Sequence, residues 1–344
     1  MAQDTRIARS GPADAPKRAD IVLEGGGVKG MALVGSVMAL SDAGYTFPRV
    51  AGSSAGAIVG SVIAAMQRSG EPMSRAGEIA CTLDYSKMRD RRRWARLLSP
   101  WPRLANALAV VTHHGVYRGK YLTDWTRGVL GDLGVRTFDD LKFDDPGSDL
   151  GPDRSCRFVV TASDLARQRL MYLPWDLPSY QLDPESFSVA RAVRASASIP
   201  FLFEPVRLKS TYGISTLVDG GILRSYPIEI FDRKDGEPSR WPTIGVRLSS
   251  PSSERAPAKP VTGPISLALS LVYTTVDSTQ ARHVSDPRDV ERSIFAKTKG
   301  VRWTDFDLTP EQTQSLYEAG YAAGQKWLNK HDQRLDAGPI EVTE

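Results

Sequence analysis

The pentapeptide Gly52-Ser53-Ser54-Ala55-Gly56 stands between a short strand-like segment, residues 48–52, and a run of small and apolar residues that carries no charge as far as Gln67. It constrains the fold more than any other feature of the chain. A G-x-S-x-G pattern placed where strand-like sequence gives way to helix-like sequence reads as strand, sharp turn, helix. Ser54 falls at the crowded point of that turn, where the residues two positions away, Gly52 and Gly56, must be small. A helix over residues 54–68 aims its unpaired N–H groups and the positive end of its dipole back at Ser54. Ser53 is out of phase for the pattern. The charge-free residues 50–67 approach the length of a membrane span, and Gly56 and Gly60 have helix-dimer spacing. A span would have to carry the small, polar turn through the bilayer core, so a buried strand-turn-helix is the expectation.

Further strands are expected at 21–23, 157–162, 170–173, 217–218 and 244–248, and further helices at 31–43, 189–196 and 310–328. Alternation of strands and helices predicts an α/β protein with a largely parallel, helix-covered sheet. Residues 265–276 read as a short packed helix, 249–263 as a linker-like segment and 147–154 as a loop. The first nineteen residues are polar, broken by Gly and Pro, and lack the apolar centre of a signal peptide. The expected organisation is a solvated tail at 1–19, one domain at 20–330 and a polar tail at 331–344. Within the domain a motif-bearing core spans 20–235 and a more helical part 236–330.

A second glycine-rich turn, Gly25-Gly26-Gly27-Val28-Lys29-Gly30, follows the first strand. As G-x-G-x-x-G it would suit a dinucleotide, but that site needs an acid at the end of the second strand, where the chain has Val50-Ala51-Gly52-Ser53-Ser54. A phosphate loop fails as well, because Met31 follows Gly30. Four histidines (His113, His114, His283, His331) and two cysteines (Cys81, Cys156) leave no disulfide framework and no clustered metal ligands. His283 and His331 read as solvated and His113-His114 as structural, so a histidine-based triad around Ser54 is unconvincing. Asp219, at the end of a short apolar strand and followed by Gly220 and Gly221, is the acid of interest; the same tripeptide also suits an ordinary Asp-Gly turn.

These three blocks, in this order and spacing, resemble the patatin-like phospholipase family. Arg194-Ala195-Ser196-Ala197-Ser198-Ile199-Pro200, leading to Glu204-Pro205-Val206, resembles the family segment before the catalytic acid. Weaker echoes are Gly115-Val116-Tyr117-Arg118-Gly119, Thr137-Phe138-Asp139-Asp140-Leu141 and Leu316-Tyr317-Glu318-Ala319-Gly320. The likeness covers roughly residues 20–328. One departure is Arg224-Ser225, where the family often carries Asn after the Asp-Gly-Gly turn. The resemblance implies a three-layer α/β/α patatin-like fold with a largely parallel central sheet and a nucleophile elbow. It implies a serine lipid acyl hydrolase of phospholipase A or lysophospholipase type, using a Ser54–Asp219 dyad and no cofactor or metal. The backbone N–H groups of Gly25, Gly26, Gly27, Val28 and Ala55 would hold the oxyanion, with Lys29, Gly30, Gly52, Gly56, Gly220 and Gly221 in support; Lys29 reads equally as a solvated first-turn lysine. An acyltransferase using the same serine is the alternative. A silent binding protein is disfavoured by the intact Ser54, Asp219 and glycine loop.

Formal net charge is +4, but residues 87–103 carry +6 and the remainder −2. Within that strip Arg91, Arg92, Arg93 and Arg96 interleave with Trp94 and Trp101. Arginine stems and aromatic rings suit a headgroup interface and the charge suits anionic lipid, although a solvated helix face has the same composition. A lipid or other ester substrate, transient contact with an anionic membrane surface and no nucleic acid are therefore expected. The expected location is cytoplasmic, peripheral on membranes, with neither signal peptide nor membrane-spanning helix.

Overall fold

Alternation of side chains along the central strands sets which surfaces meet in this protein. The computed structural model describes residues 17–336, apart from 99, 146, 236, 238, 249–259, 264–265, 269, 273, 276–285 and 299. Strands β1 (Lys17–Arg18) and β2 (Asp20–Leu23), helix α1 (Gly30–Asp42), strands β3 (Tyr45–Thr46) and β4 (Val50–Gly52) and helix α2 (Ala55–Ser69) come first. Then follow α3 (Ala76–Cys81), α4 (Arg93–Leu97), α5 (Pro102–His113), β5 (Gly115–Tyr117) and α6 (Lys120–Asp132). The chain returns with β6 (Phe158–Asp164), β7 (Arg169–Leu173), α7 (Val189–Ser196), β8 (Phe201–Phe203), β9 (Val206–Ser210) and β10 (Gly213–Asp219). It ends with β11 (Thr243–Arg247), α8 (Pro287–Glu291), β12 (Ser293–Phe295) and the long α9 (Pro310–Asp336).

The main sheet runs β12-β11-β2-β4-β6-β10-β9, with β7 also on β6. Neighbours from β12 to β6 are parallel, and β10 is antiparallel to both β6 and β9. This is the α/β architecture with a mostly parallel central sheet that the sequence predicts. Ile21 and Leu23 point into the larger core with α1, α2 and α9, while Val22, Ala51 and Val159 face the other way. That second face is closed by Tyr226, Ile228 and Phe231, with Tyr172 and Trp175 packed around them. The charge-free residues 50–67 divide into β4, a turn and the buried α2, and among the described residues no helix is long and apolar enough to cross a membrane.

Two boundaries shift, and one helix packs otherwise than expected. Ala19 is fully buried and β1 pairs with β3, so the body begins before residue 20. Helix α9 continues to Asp336, past the expected tail boundary at 331. Of the expected packed helix at 265–276, residues 266–268, 270–272 and 274–275 are helical, but Leu267 and Leu271 are exposed rather than packed. Most of the linker-like segment, 249–259, lies outside the described residues.

Candidate active site

The end of β4 and the start of α2 place Ser54 at φ 51° and ψ −117°, a left-handed-side conformation rare for a residue with a Cβ. What permits it is the pair of small neighbours. A Cβ on Gly56 would stand 2.1 Å from the Leu23 carbonyl oxygen, so only glycine lets α2 start this close to β2. The Ser54 N–H donates to Ser196 Oγ at 2.8 Å, which binds the strained turn to the end of α7.

The register of β10 on β6 brings Asp219 opposite Ala162, and its N–H donates to the Ser198 carbonyl at 2.9 Å. Ser54 Oγ then donates to Asp219 Oδ2 at 2.6 Å, while Asp219 Oδ1 accepts the Gly221 N–H at 2.8 Å. Both side chains are buried. Burial pushes the Asp219 carboxyl up to about 6, against the hydrogen bonds from Ser54 and Gly221, which pull it down. The Arg224-Ser225 departure is braced by backbone: the Arg224 N–H closes on Gly220 O, and Ser225 O takes the Gly25 N–H.

That last bond alters the expected donor set. The Gly25 N–H is spent on Ser225 O at 3.1 Å and the Val28 N–H on Trp303 O at 3.0 Å, so neither is available to a bound oxyanion. The N–H groups of Gly26, Gly27 and Ala55 donate to no acceptor among the described residues. Gly27 holds φ 58°, and a Cβ there would meet Trp303 O at 2.1 Å. Lys29 is half-buried and takes part in an interaction of its own, and Gly30 opens α1.

A narrow cleft over Ser54 is walled by Ile58, Tyr85, Met88, Ile199, Phe203, Trp303 and Phe306, and is almost wholly apolar. Ile58 and Tyr85 also wall a second apolar groove, between α1 and α2, lined by Met31, Val34, Val59 and Val62. The histidines lie elsewhere: His113 and His114 end α5, His331 is stacked on Trp327 in α9, and His283 is outside the described residues. Among the described residues no His/Cys/Asp/Glu group could hold a metal ion.

Three residues without a role in the sequence reading support the site. Ser196 accepts from Ser54, Ser198 accepts from Asp219 through its carbonyl, and buried Arg194 clamps Ser198 Oγ, Gly119 O, Arg118 O and Glu204 O. The signal was the 194–200 block itself, whose small residues let α7 approach both catalytic candidates.

The basic strip is not a uniform cationic face. Arg92 makes a bidentate ion pair with Glu204 at 2.6 and 2.8 Å, and Arg91 lies over the Tyr117 ring at 5.9 Å. Trp94 packs on His113 at 6.2 Å between ring centroids. Arg93 and Trp101 are exposed; the side chain of Arg96 lies outside the described residues.

Fold and site together define an α/β protein that presents a serine at a strand-to-helix turn to a buried carboxylate, under free backbone donors. The model of the patatin-like phospholipase family matches residues 21–232, and the chain belongs to that family. At family level this makes it a lipid hydrolase. It is similar to the uncharacterized protein YqhO of Bacillus subtilis, 36% identical over 301 residues that span 88% of this chain and 94% of that one. It is also similar to the NTE family protein Rv1063c of Mycobacterium tuberculosis, 26% identical over 242 residues, 70% of this chain and 51% of that protein. Among solved structures, VipD from Legionella pneumophila matches 92% of this chain and 68% of its own at 17% identity and a TM-score of 0.48.

Proposed function

We propose that the protein is a serine acyl hydrolase of lipid carboxylic esters, of phospholipase A or lysophospholipase type, with Ser54 as nucleophile and Asp219 as its proton acceptor. The observation that carries this reading is the 2.6 Å hydrogen bond from Ser54 Oγ to a buried Asp219, with no histidine between them. An unperturbed aspartate is a poor base near neutrality; at about 6 this one is still ionised at pH 7 and far better matched to taking a proton.

In the first half-reaction Ser54 Oγ bonds to the ester carbonyl carbon as its proton passes to Asp219 Oδ2. The carbonyl electron pair moves onto oxygen, opposite the N–H groups of Gly26, Gly27 and Ala55. Each such donor is worth about 3 kcal/mol of barrier in comparable sites. Collapse expels the alcohol, which leaves with the proton held by Asp219, and Ser54 carries the acyl group. Water then adds to that ester, gives its proton to Asp219, and the fatty acid departs as Ser54 Oγ recovers a proton. The apolar cleft and the groove behind Ile58 and Tyr85 suit an acyl chain, and such a substrate brings the enzyme to a lipid surface.

Labelling with a fluorophosphonate probe tests the nucleophile: Ser54→Ala loses the label and ester hydrolysis together. Asp219→Asn falls at least about a thousandfold in kcat/KM, in the range of lost general-base catalysis. Replacement of His113, His114, His283 and His331 leaves hydrolysis in place. Full activity in Asp219→Asn would end the dyad reading.

A further inference from the structure

Helix α5 turns large apolar side chains to solvent in register. Trp101 at its N-cap, Leu104, Leu108 and Val111 are 61%, 59%, 42% and 76% exposed, whereas Ala105 and Ala109 face the body. At 3.6 residues per turn the four exposed positions fall within about 80° of arc, a single stripe along the helix. Isolated exposed leucines need no explanation, but a continuous stripe does.

The surroundings of the stripe have one sign of charge. No acidic residue occurs between Asp90 and Asp124. Arg93, Arg103 and Arg118 are exposed and form no ion pair among the described residues. The helix is also coupled to the candidate cleft. Its C-terminal end leads into β5, which pairs with β8 so that Tyr117 opposes Phe203, a cleft wall. At the other side Arg92 holds Glu204, next to Phe203, and Met88 lines the cleft directly.

We infer that the exposed face of α5, with Arg93, Arg103 and Arg118 around it, is the surface by which the protein seats on an anionic lipid bilayer. This rests on the lipid-ester reading above and centres the contact on the α5 stripe, with Arg93 and Arg103 kept from the basic strip and Arg92 left out because Glu204 holds it. Leucine, valine and tryptophan enter the headgroup boundary while arginines meet lipid phosphates, the arrangement of a helix lying in the interface plane. A second copy of this chain fits the face less well: a two-fold contact would set the same unpaired cations against each other.

Flotation with vesicles of phosphatidylcholine plus phosphatidylglycerol, against phosphatidylcholine alone, tests the surface in the full chain. Wild type binds the anionic vesicles, and salt weakens the binding. Leu104→Asp, Leu108→Asp and Val111→Asp combined reduce it at least tenfold. That variant loses hydrolysis of vesicle lipid but keeps hydrolysis of a soluble short-chain p-nitrophenyl ester. Should the triple variant not fold, Arg93→Glu with Arg103→Glu lowers binding to the anionic vesicles by a similar factor. Binding of wild type to neither vesicle, equal binding by wild type and a folded triple variant, or undiminished binding by the arginine pair overturns the assignment. So does a dimer that the triple variant dissociates with vesicle binding unchanged. Absence of soluble-ester hydrolysis in wild type would instead strike the hydrolase reading, with vesicle binding still deciding the surface.

Discussion

Burial holds the Asp219 carboxyl at about 6, and this one shift acts on activity and on stability in opposite directions. The base must be ionised, so kcat/KM rises with pH on a limb centred near 6 and falls about tenfold per unit below it. Stability moves the other way. The folded value lies above the ordinary aspartate value of 3.8, so the folded state binds the proton more tightly than the unfolded chain. Stability contributed by this group is full below about pH 4 and is lost as pH rises to about 6, on the order of 3 kcal/mol in all. Asp219→Asn is therefore expected to raise the unfolding free energy at pH 7 and to change it little at pH 4, as denaturant titration at both pH values would show. Ser196 is expected to matter for a different reason. Ser196→Ala leaves the Ser54 N–H without its acceptor in a buried turn, at a cost of about 1–3 kcal/mol, and lowers kcat without removing fluorophosphonate labelling. Ser54 and Asp219 were legible as candidates because each sits in a short local pattern. The spent donors of Gly25 and Val28 were not, since their acceptors, Ser225 O and Trp303 O, are distant in the chain.

Elements are legible where their own residues decide them. α1, α2 and α7 follow from apolar runs and small-residue turns, and their ends agree with expectation to within one residue. The elbow is the firmest of these local facts, because Gly56 has Leu23 O against its Cα and no larger residue fits. Gly56→Ala is expected to lose both the folded elbow and activity. Gly27→Ala is milder in the core but forces a Cβ against Trp303 O in a loop at φ 58°. Its expected signature is a kcat drop on the order of a hundredfold, the scale of one misplaced oxyanion donor, together with a lower Tm, because the Cβ meets a backbone oxygen at a positive φ. β1, β3, β5, β8 and β12 have two or three residues each and carry no periodic signal; pairing with a partner strand creates them. For the same reason residues 265–276 misled: an apolar composition marks a helix but does not say which surface it finds.

At the scale of the molecule the largest helix contact is α1 against α9, two segments nearly three hundred residues apart. Ser36 Oγ donates to Gly320 O at 2.8 Å, and a Cβ on Gly320 would stand 1.9 Å from Ala32 O. Gly320→Val is expected to destabilise by about 3 kcal/mol or more, read as a lower Tm. α1 follows directly on the glycine loop, so this crossing also fixes where Gly26 and Gly27 stand. Local pattern was enough for the α/β class, the sharp serine turn and the acid at the end of a strand, because each rests on residues adjacent along the chain. Tertiary structure alone decided which backbone donors remain free, which arginines are neutralised inside the protein and which helix face meets solvent. Those depend on hydrogen bonds, ion pairs and burial between distant segments, which no local pattern encodes.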